Sequence, residues 1–471
     1  MSKEKLIDWL EDKEEFLTDM AQEIWENPEI GLFEEQSSKL QQEALKEAGF
    51  EITTGMGDMP TAFMAEFGSG KPVIGILGEF DALPGLSQKV SAERDPVEKG
   101  APGHGCGHNL LGTAGVGGAM ALKELIESGE ISGTIRYYGC PAEETLVGKV
   151  FMARDGVFDD LDACLTWHPM STNHVWAASM LAMNSVQFFF TGTPAHAAAA
   201  PHMGRGALDG VELMNVGANY MREHMIDDAR IHYSITDGGG EPNVVPGSAA
   251  VWYYIRSPER DEVEELFDRL KKIAEGATMM TETEVEWQFL AACYNTLPNK
   301  VLGDMITENM KELGPPKFDE EDIQFARDLV ATFSPGQKRS TMKAQDVPDE
   351  IIEQDLHQGI AEPYDEGQVM PGSTDVGDVS WIVPLAQFTT ATWPVGTAAH
   401  SWQAAAASGS GIGFKAMHLA AKTLATSAYD LFTKPDILEA AWKEFEESTR
   451  DRKYELPLPE GAKPPFEQQK H

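Results

Sequence analysis

The chain has 471 residues, 42% of them hydrophobic, with 76 acidic against 37 basic side chains and a formal net charge of −39. That length is too great for one ordinary core and implies two or more domains, and the apolar fraction excludes extensive disorder. The negative charge argues against binding nucleic acid or an anionic membrane surface, because both are polyanions.

In chain order, MSKEKLIDWLEDKEEFL is charged and amphipathic, without the apolar core or small-residue cleavage site of a signal peptide. Residues 4–26 set Leu6, Ile7, Leu10, Phe16, Leu17, Met20 and Ile24 at helical spacing, and 36–48 predicts a second amphipathic helix stopped by Gly49. Val73–Gly78, Ile135–Gly139 and Ala163–Trp167 are short apolar runs expected as buried strands, with a helix over 110–128 between the first two. Alternating strands and helices predict an α/β fold with a mostly parallel core.

The pattern changes near residue 184. A strand (SVQFFFTG), a helix (205–225), two half-exposed strands (231–236 and 249–256), a helix (260–276) and a strand (283–290) make a split βαβ, ferredoxin-like α+β pattern. This predicts a domain over 184–293 inserted into one built from 1–183 and 294–471. Beyond it, 297–312 predicts a helix, the acidic, proline-punctuated stretch 315–370 carries another at 320–332, 410–432 is the last well-packed helix, and 455–471 reads as a frayed tail. No apolar run approaches the length of a membrane span. Four cysteines (Cys106, Cys140, Cys164, Cys293) form no disulfide framework, so a soluble cytoplasmic protein is expected.

Four places carry chemistry. In GHGCGHN, Cys106 and His108 stand one residue apart just before a helix, and thiolate and imidazole both suit zinc-like ions. A glycine-rich turn with a buried cysteine and a surface histidine would read the same way. In CPAEET, Glu143 and Glu144 follow an apolar strand; a cation would relieve their mutual repulsion, one binding it and the other serving as base. Glutamates are also ordinary at a helix N-terminus. His168 ends the strand ACLTW, and His400 lies in the small-residue loop GTAAHSW. Each is weak alone, but together they fall where predicted strands end, the edge where open α/β sheets build sites. Asp81 in GEFDALPG shares that edge, as the outer partner of a ligand histidine or as a turn residue.

The ordered set GEFDALPGLSQ, GHGCGHNLLGTA, CPAEE, GTPAHAAAAPHMGRGALDG, PNVVP and PGSTDVGDVSW…HSWQ resembles the aminoacylase and carboxypeptidase family of dinuclear metallopeptidases, in its amidohydrolase branch, over roughly residues 15–430. The resemblance implies a three-layer catalytic domain of the phosphorylase/hydrolase type carrying an inserted lid or dimerisation domain. It implies that Cys106 bridges two divalent ions, zinc or manganese, that His108 and His168 hold one of them, and that Glu144 and His400 complete the other. Glu143 becomes the general base and Asp81 the supporting aspartate. Glu79 stands where other branches carry a ligand histidine. His196 matches the lid histidine that reaches a partner's site. Asn243, with Arg205 and Arg256, is a candidate for holding the substrate. The implied reaction is hydrolysis of an N-acyl or N-aroyl amino acid, p-aminobenzoyl-glutamate foremost. A homodimer through the lid, or assembly with a related A subunit, is expected. The rival readings are a dipeptidase, an indole-acetyl-amino-acid hydrolase and a non-catalytic partner subunit.

Overall fold

The computed structural model describes residues 2–467. A seven-stranded sheet forms the larger body. Its central strands Gly133–Cys140, Val73–Glu79, Ala163–Met170 and Leu385–Ala391 run parallel, and Phe63–Ser69 with Glu51–Thr54 on one side and His174–Trp176 on the other join antiparallel. Both faces are covered, which explains the continuous apolar runs. Along Val73–Glu79 the side chains alternate between two cores. Ile74 and Ile76 pack under the helices His108–Glu127, Gly411–Thr433, Glu14–Glu26 and Lys300–Leu313. Val73 and Leu77 face the layer holding Phe151 and Val376. Cutting a fully buried leucine such as Leu111 back to alanine in either core would cost about 2–5 kcal/mol.

The second sheet has four antiparallel strands in the order Glu284–Cys293, Ala182–Thr191, Ser248–Ser257, Arg230–Asp237. Helices Ala207–Met221 and Arg260–Thr281 cover one face through Val211, Met214, Val263, Leu266 and Leu270.

Several expectations need correction. The N-terminal helix is two helices, Ser2–Asp12 and Glu14–Glu26, broken at Lys13, and Phe16 faces solvent. The hairpin Glu51–Thr54/Phe63–Ser69 escaped notice because its outer strand is exposed and mixed in composition. A further helix, Pro435–Ser448, follows the one expected to be the last well-packed helix, and it buries only Ala441 among its described residues. The tail up to residue 467 is not frayed: Leu458 is buried and Phe466 meets Phe33 edge-on at 6.2 Å. The remainder of that tail, 468–471, lies outside the described residues.

Candidate metal centre

The four parallel strands deliver their chemistry to one edge. Glu79 ends Val73–Glu79 with Asp81 just beyond, Glu143 and Glu144 follow Gly133–Cys140, His168 lies near the end of Ala163–Met170, and the loop after Leu385–Ala391 carries His400. Between Cys106 and His108 the backbone must turn at Gly107, with φ +76°, where a Cβ would meet Pro169 at 2.8 Å. Glycine alone fits there. The chain then enters the helix His108–Glu127, with His108 as its first residue.

The side chains converge in two trios that share Cys106. The ligand atoms of Cys106, His108 and His168 lie within 4.8 Å of one another, as do those of Cys106, Glu144 and His400. Cys106 Sγ is 3.5 Å from His168 Nε2, and His400 Nε2 is 3.2 Å from Glu144 Oε2. All five residues expected as ligands therefore meet. Asp81 joins the trios from behind: its Oδ1 accepts from His108 Nδ1 at 2.8 Å and its Oδ2 from the Glu144 amide at 2.9 Å. This bond turns His108 Nε2 inward. Glu143, 8% exposed, sits beside them with Oε2 at 3.9 Å from His108 Nε2.

A divalent ion fits this donor set. His108 Nε2, Glu144 Oε1 and Glu79 Oε2 are buried without a hydrogen-bond partner, a costly state that a cation would relieve. Burial and Glu144 push the Cys106 thiol up, but His168 and His108 outweigh them and hold it at about 6, in the thiolate range. Hydrogen bonds that His400 donates to Cys106 and Glu144 raise it to about 11. Burial, then Glu79 and Asp375, push the Glu143 carboxyl well above its ordinary range.

Sequence reasoning missed a buried charge cluster behind the centre. Lys149 Nζ lies 2.6 Å from Glu79 Oε1 and 2.7 Å from Asp375 Oδ1, and its amide donates to Asp375 Oδ2 at 2.7 Å. Burial opposes the charge on Glu79, yet Lys149 and then His108 hold its carboxyl below the ordinary value. Glu79 also forms a third trio with His108 and Glu143. Its place two residues before Asp81 was the available signal, and Asp375 lies in the PGSTDVGD motif; nothing local marks Lys149. Glu34 was missed too: its Oε1 accepts from the Ala142 amide at 2.7 Å and its Oε2 from Thr61 at 3.1 Å. Ala142 adopts φ 54° and leads directly into Glu143.

The residues expected to belong to a lid divide between two ends of the small sheet. At the tip, the loop with His196 bridges Val244, the Ala197 amide donates to the Asn243 carbonyl at 2.9 Å, and Thr193 bridges Arg205. His196 is exposed, and its Nδ1 accepts from the Ala198 and Ala199 amides at 3.3 and 3.2 Å. That fixes the proton on Nε2, aimed outward as a donor. Arg205 pairs with Glu282 at 2.9 Å. Arg256 sits at the other end, opposite Met183, stacked on Tyr254 at 5.1 Å. Along the strand this is roughly 27 Å from Thr191, so one amino-acid-sized ligand cannot touch both Arg256 and the tip.

Comparison with known proteins places the chain in a family. Residues 181–278 match the model of the peptidase dimerisation domain of the M20 family. The chain is 42% identical over 458 residues, 95% of each chain, to one of the subunits of the p-aminobenzoyl-glutamate hydrolase of Escherichia coli K12. It belongs to the M20 family of metal-dependent hydrolases, the aminoacylase and carboxypeptidase family whose motifs it carries. Within that family it is also 28% identical to the mouse Xaa-Arg dipeptidase, covering 94% of this chain and 92% of that one. Its fold is shared with an aminobenzoyl-glutamate utilization protein from Klebsiella pneumoniae, at TM-score 0.61, 17% identity and coverage of 91% and 99%. Among the described residues no helix is long and apolar enough to cross a membrane.

Proposed function

We propose that this protein hydrolyses the amide bond of an N-acyl or N-aroyl amino acid, p-aminobenzoyl-glutamate foremost, with two divalent ions, zinc or manganese, held by Cys106, His108, Glu144, His168 and His400. The observation that carries this is the pair of ligand trios sharing Cys106, with buried His108 Nε2 and Glu144 Oε1 left without a hydrogen-bond partner. When bound, such ions supply Lewis acidity.

The chain's own groups do the rest. Glu143 takes the proton of the attacking water and returns it to the leaving nitrogen; burial, then Glu79 and Asp375, give it a higher affinity for a proton than an ordinary carboxylate. Asp81 keeps His108 and Glu144 in register. His196 Nε2–H donates to the developing oxyanion from a partner subunit, because the lid segment 184–293 acts as both lid and dimerisation domain. Asn243 and Arg205, beside it, contact the substrate; Arg256, at the opposite end of the lid sheet, is too far away to share that ligand.

Metal analysis coupled to hydrolysis tests this. Two ions per chain and turnover of p-aminobenzoyl-glutamate by the purified single chain are expected, with dipeptides and indole-acetyl-aspartate as competitors. A fully loaded sample that cuts no amide in that panel would overturn the reading and leave the non-catalytic role.

A further inference from the structure

The crossover between Val73–Glu79 and the helix His108–Glu127 is built with more order than a connection needs. Residues 85–101 contain no helix or strand. Yet the Ser87 amide donates to the Ala101 carbonyl and the Lys89 amide to the Asp95 carbonyl, both at 3.0 Å. Buried Gln88 clasps the turn, donating to the Glu93 carbonyl at 2.8 Å and accepting from the Asp95 amide at 3.1 Å. The loop rests on the candidate centre: a Cβ at Gly105 would meet Leu86 at 2.4 Å, and the His400 amide donates to the Gly105 carbonyl at 3.0 Å.

Between this loop and the His400 loop lies a pocket of about 260 Å³, with Arg94, Lys99, Ser87, Ser401 and Trp402 in its wall and His400 at its edge. No acidic side chain lines it, although the chain has 76 acidic residues against 37 basic. Arg94 and Lys99 are exposed, and neither forms an ion pair or side-chain hydrogen bond with a described residue. Of the acids nearest in sequence, Asp95 pairs with Lys89 at 2.9 Å, and the Glu93 and Glu98 side chains lie outside the pocket wall. His400 presents one edge to Glu144, and its side chain is still 54% exposed.

An anionic substrate approaching a chain of charge −39 meets long-range repulsion and needs a local positive well. Guanidinium and ammonium groups supply one for carboxylates, and the Trp402 ring gives methylene carbons an apolar wall. We propose that this pocket receives the leaving amino acid, and that Arg94 and Lys99 select a dicarboxylic residue, glutamate or aspartate, over a neutral or guanidinium-bearing one. The assignment rests on the amide hydrolysis proposed above. A substrate whose carbonyl lies at the Cys106 trios extends past His400 and places its side-chain carboxylate between the two cations.

The test compares the metal-loaded wild type with the double variant Arg94→Ser/Lys99→Ser on benzoyl-glutamate, benzoyl-alanine and benzoyl-arginine. In the wild type kcat/KM should favour glutamate. In the double variant KM for benzoyl-glutamate should rise about tenfold or more, equivalent to about 1.4 kcal/mol, and the glutamate-to-alanine preference should collapse. Arg94→Lys should keep most of that preference. A double variant with the wild-type preference overturns the subsite while leaving the hydrolysis intact. Calorimetric titration of free glutamate into both loaded proteins separates the two claims. If neither cuts an amide, the hydrolysis falls, and only a weaker glutamate affinity in the double variant upholds the subsite; equal affinity overturns it.

Discussion

At the edge of the large sheet, His108 is 0% exposed and Glu79 and Asp81 are 1% exposed, each fixed by a named partner from another segment. At the tip of the small sheet, His196 and Asn243 stand in solvent; amides two and three residues on hold the His196 ring, and backbone bonds tie its loop to Asn243 and Val244. The first region is finished within one chain. The second has a donor with a fixed proton and, among the described residues, no side-chain hydrogen bond to its own chain's centre. A centre that must hold like charges together needs burial and counter-ions before any ligand arrives. A donor that acts only on a developing charge needs no more than a fixed direction.

The largest effect should come from the centre. Glu143→Gln should lower kcat by about 10²–10⁴-fold while metal analysis still finds two ions per chain. Loss of an ion in that variant would make Glu143 a ligand and remove the base. Next, Lys149→Met should strand Glu79 and Asp375 as buried, unpaired charges, and breaking such a pair costs about 3–5 kcal/mol. The urea midpoint reports this. Adding Glu79→Gln and Asp375→Asn should restore part of the loss; no restoration would mean that the cluster is not held by its charges.

The tip should respond in the opposite way. His196→Ala should lower kcat by about 10²–10³-fold without moving the urea midpoint or the metal content. Co-assembly with Glu143→Gln chains then sharpens the comparison, since each mixed dimer keeps one site with both groups intact. Activity well above the sum of the two variants is expected. No recovery would put His196 to work in its own chain's site.

The same contrast explains what the sequence revealed. The strand ends were legible because apolar runs buried on both faces stop abruptly at polar residues, so Glu143, Glu144 and His168 announced their edge. His196 was legible only through its motif, since an exposed loop histidine has no pattern of its own. Lys149 was not legible: in GKVFMAR it reads as a surface lysine, and the Asp375 that buries it lies 226 positions away. The break at Lys13 was hidden for a related reason, because Leu10 and Leu17 remain buried on either side of it and the apolar spacing runs on unbroken.

Glu34 asks how far behind the ligands this built-in order extends. It holds the Ala142 amide in the left-handed turn that launches Glu143 and Glu144, and Thr61 holds its other oxygen. Glu34→Ala would leave that buried amide unpaired, at about 1–3 kcal/mol, and should lower kcat through a displaced Glu143. Glu34→Gln keeps an acceptor for Ala142 and should restore kcat. The two variants also differ with pH. Burial, then the charge of Asp81, push the Glu34 carboxyl up from its ordinary 4.5 to about 8. The folded chain therefore binds this proton more tightly than the unfolded one, so its contribution is complete below the unfolded value and drains away as pH rises toward 8. Glutamine has no such proton, and urea midpoints taken between pH 5 and 8 should fall less steeply in Glu34→Gln than in the wild type. Parallel slopes would mean that Glu34 is ionised in the fold.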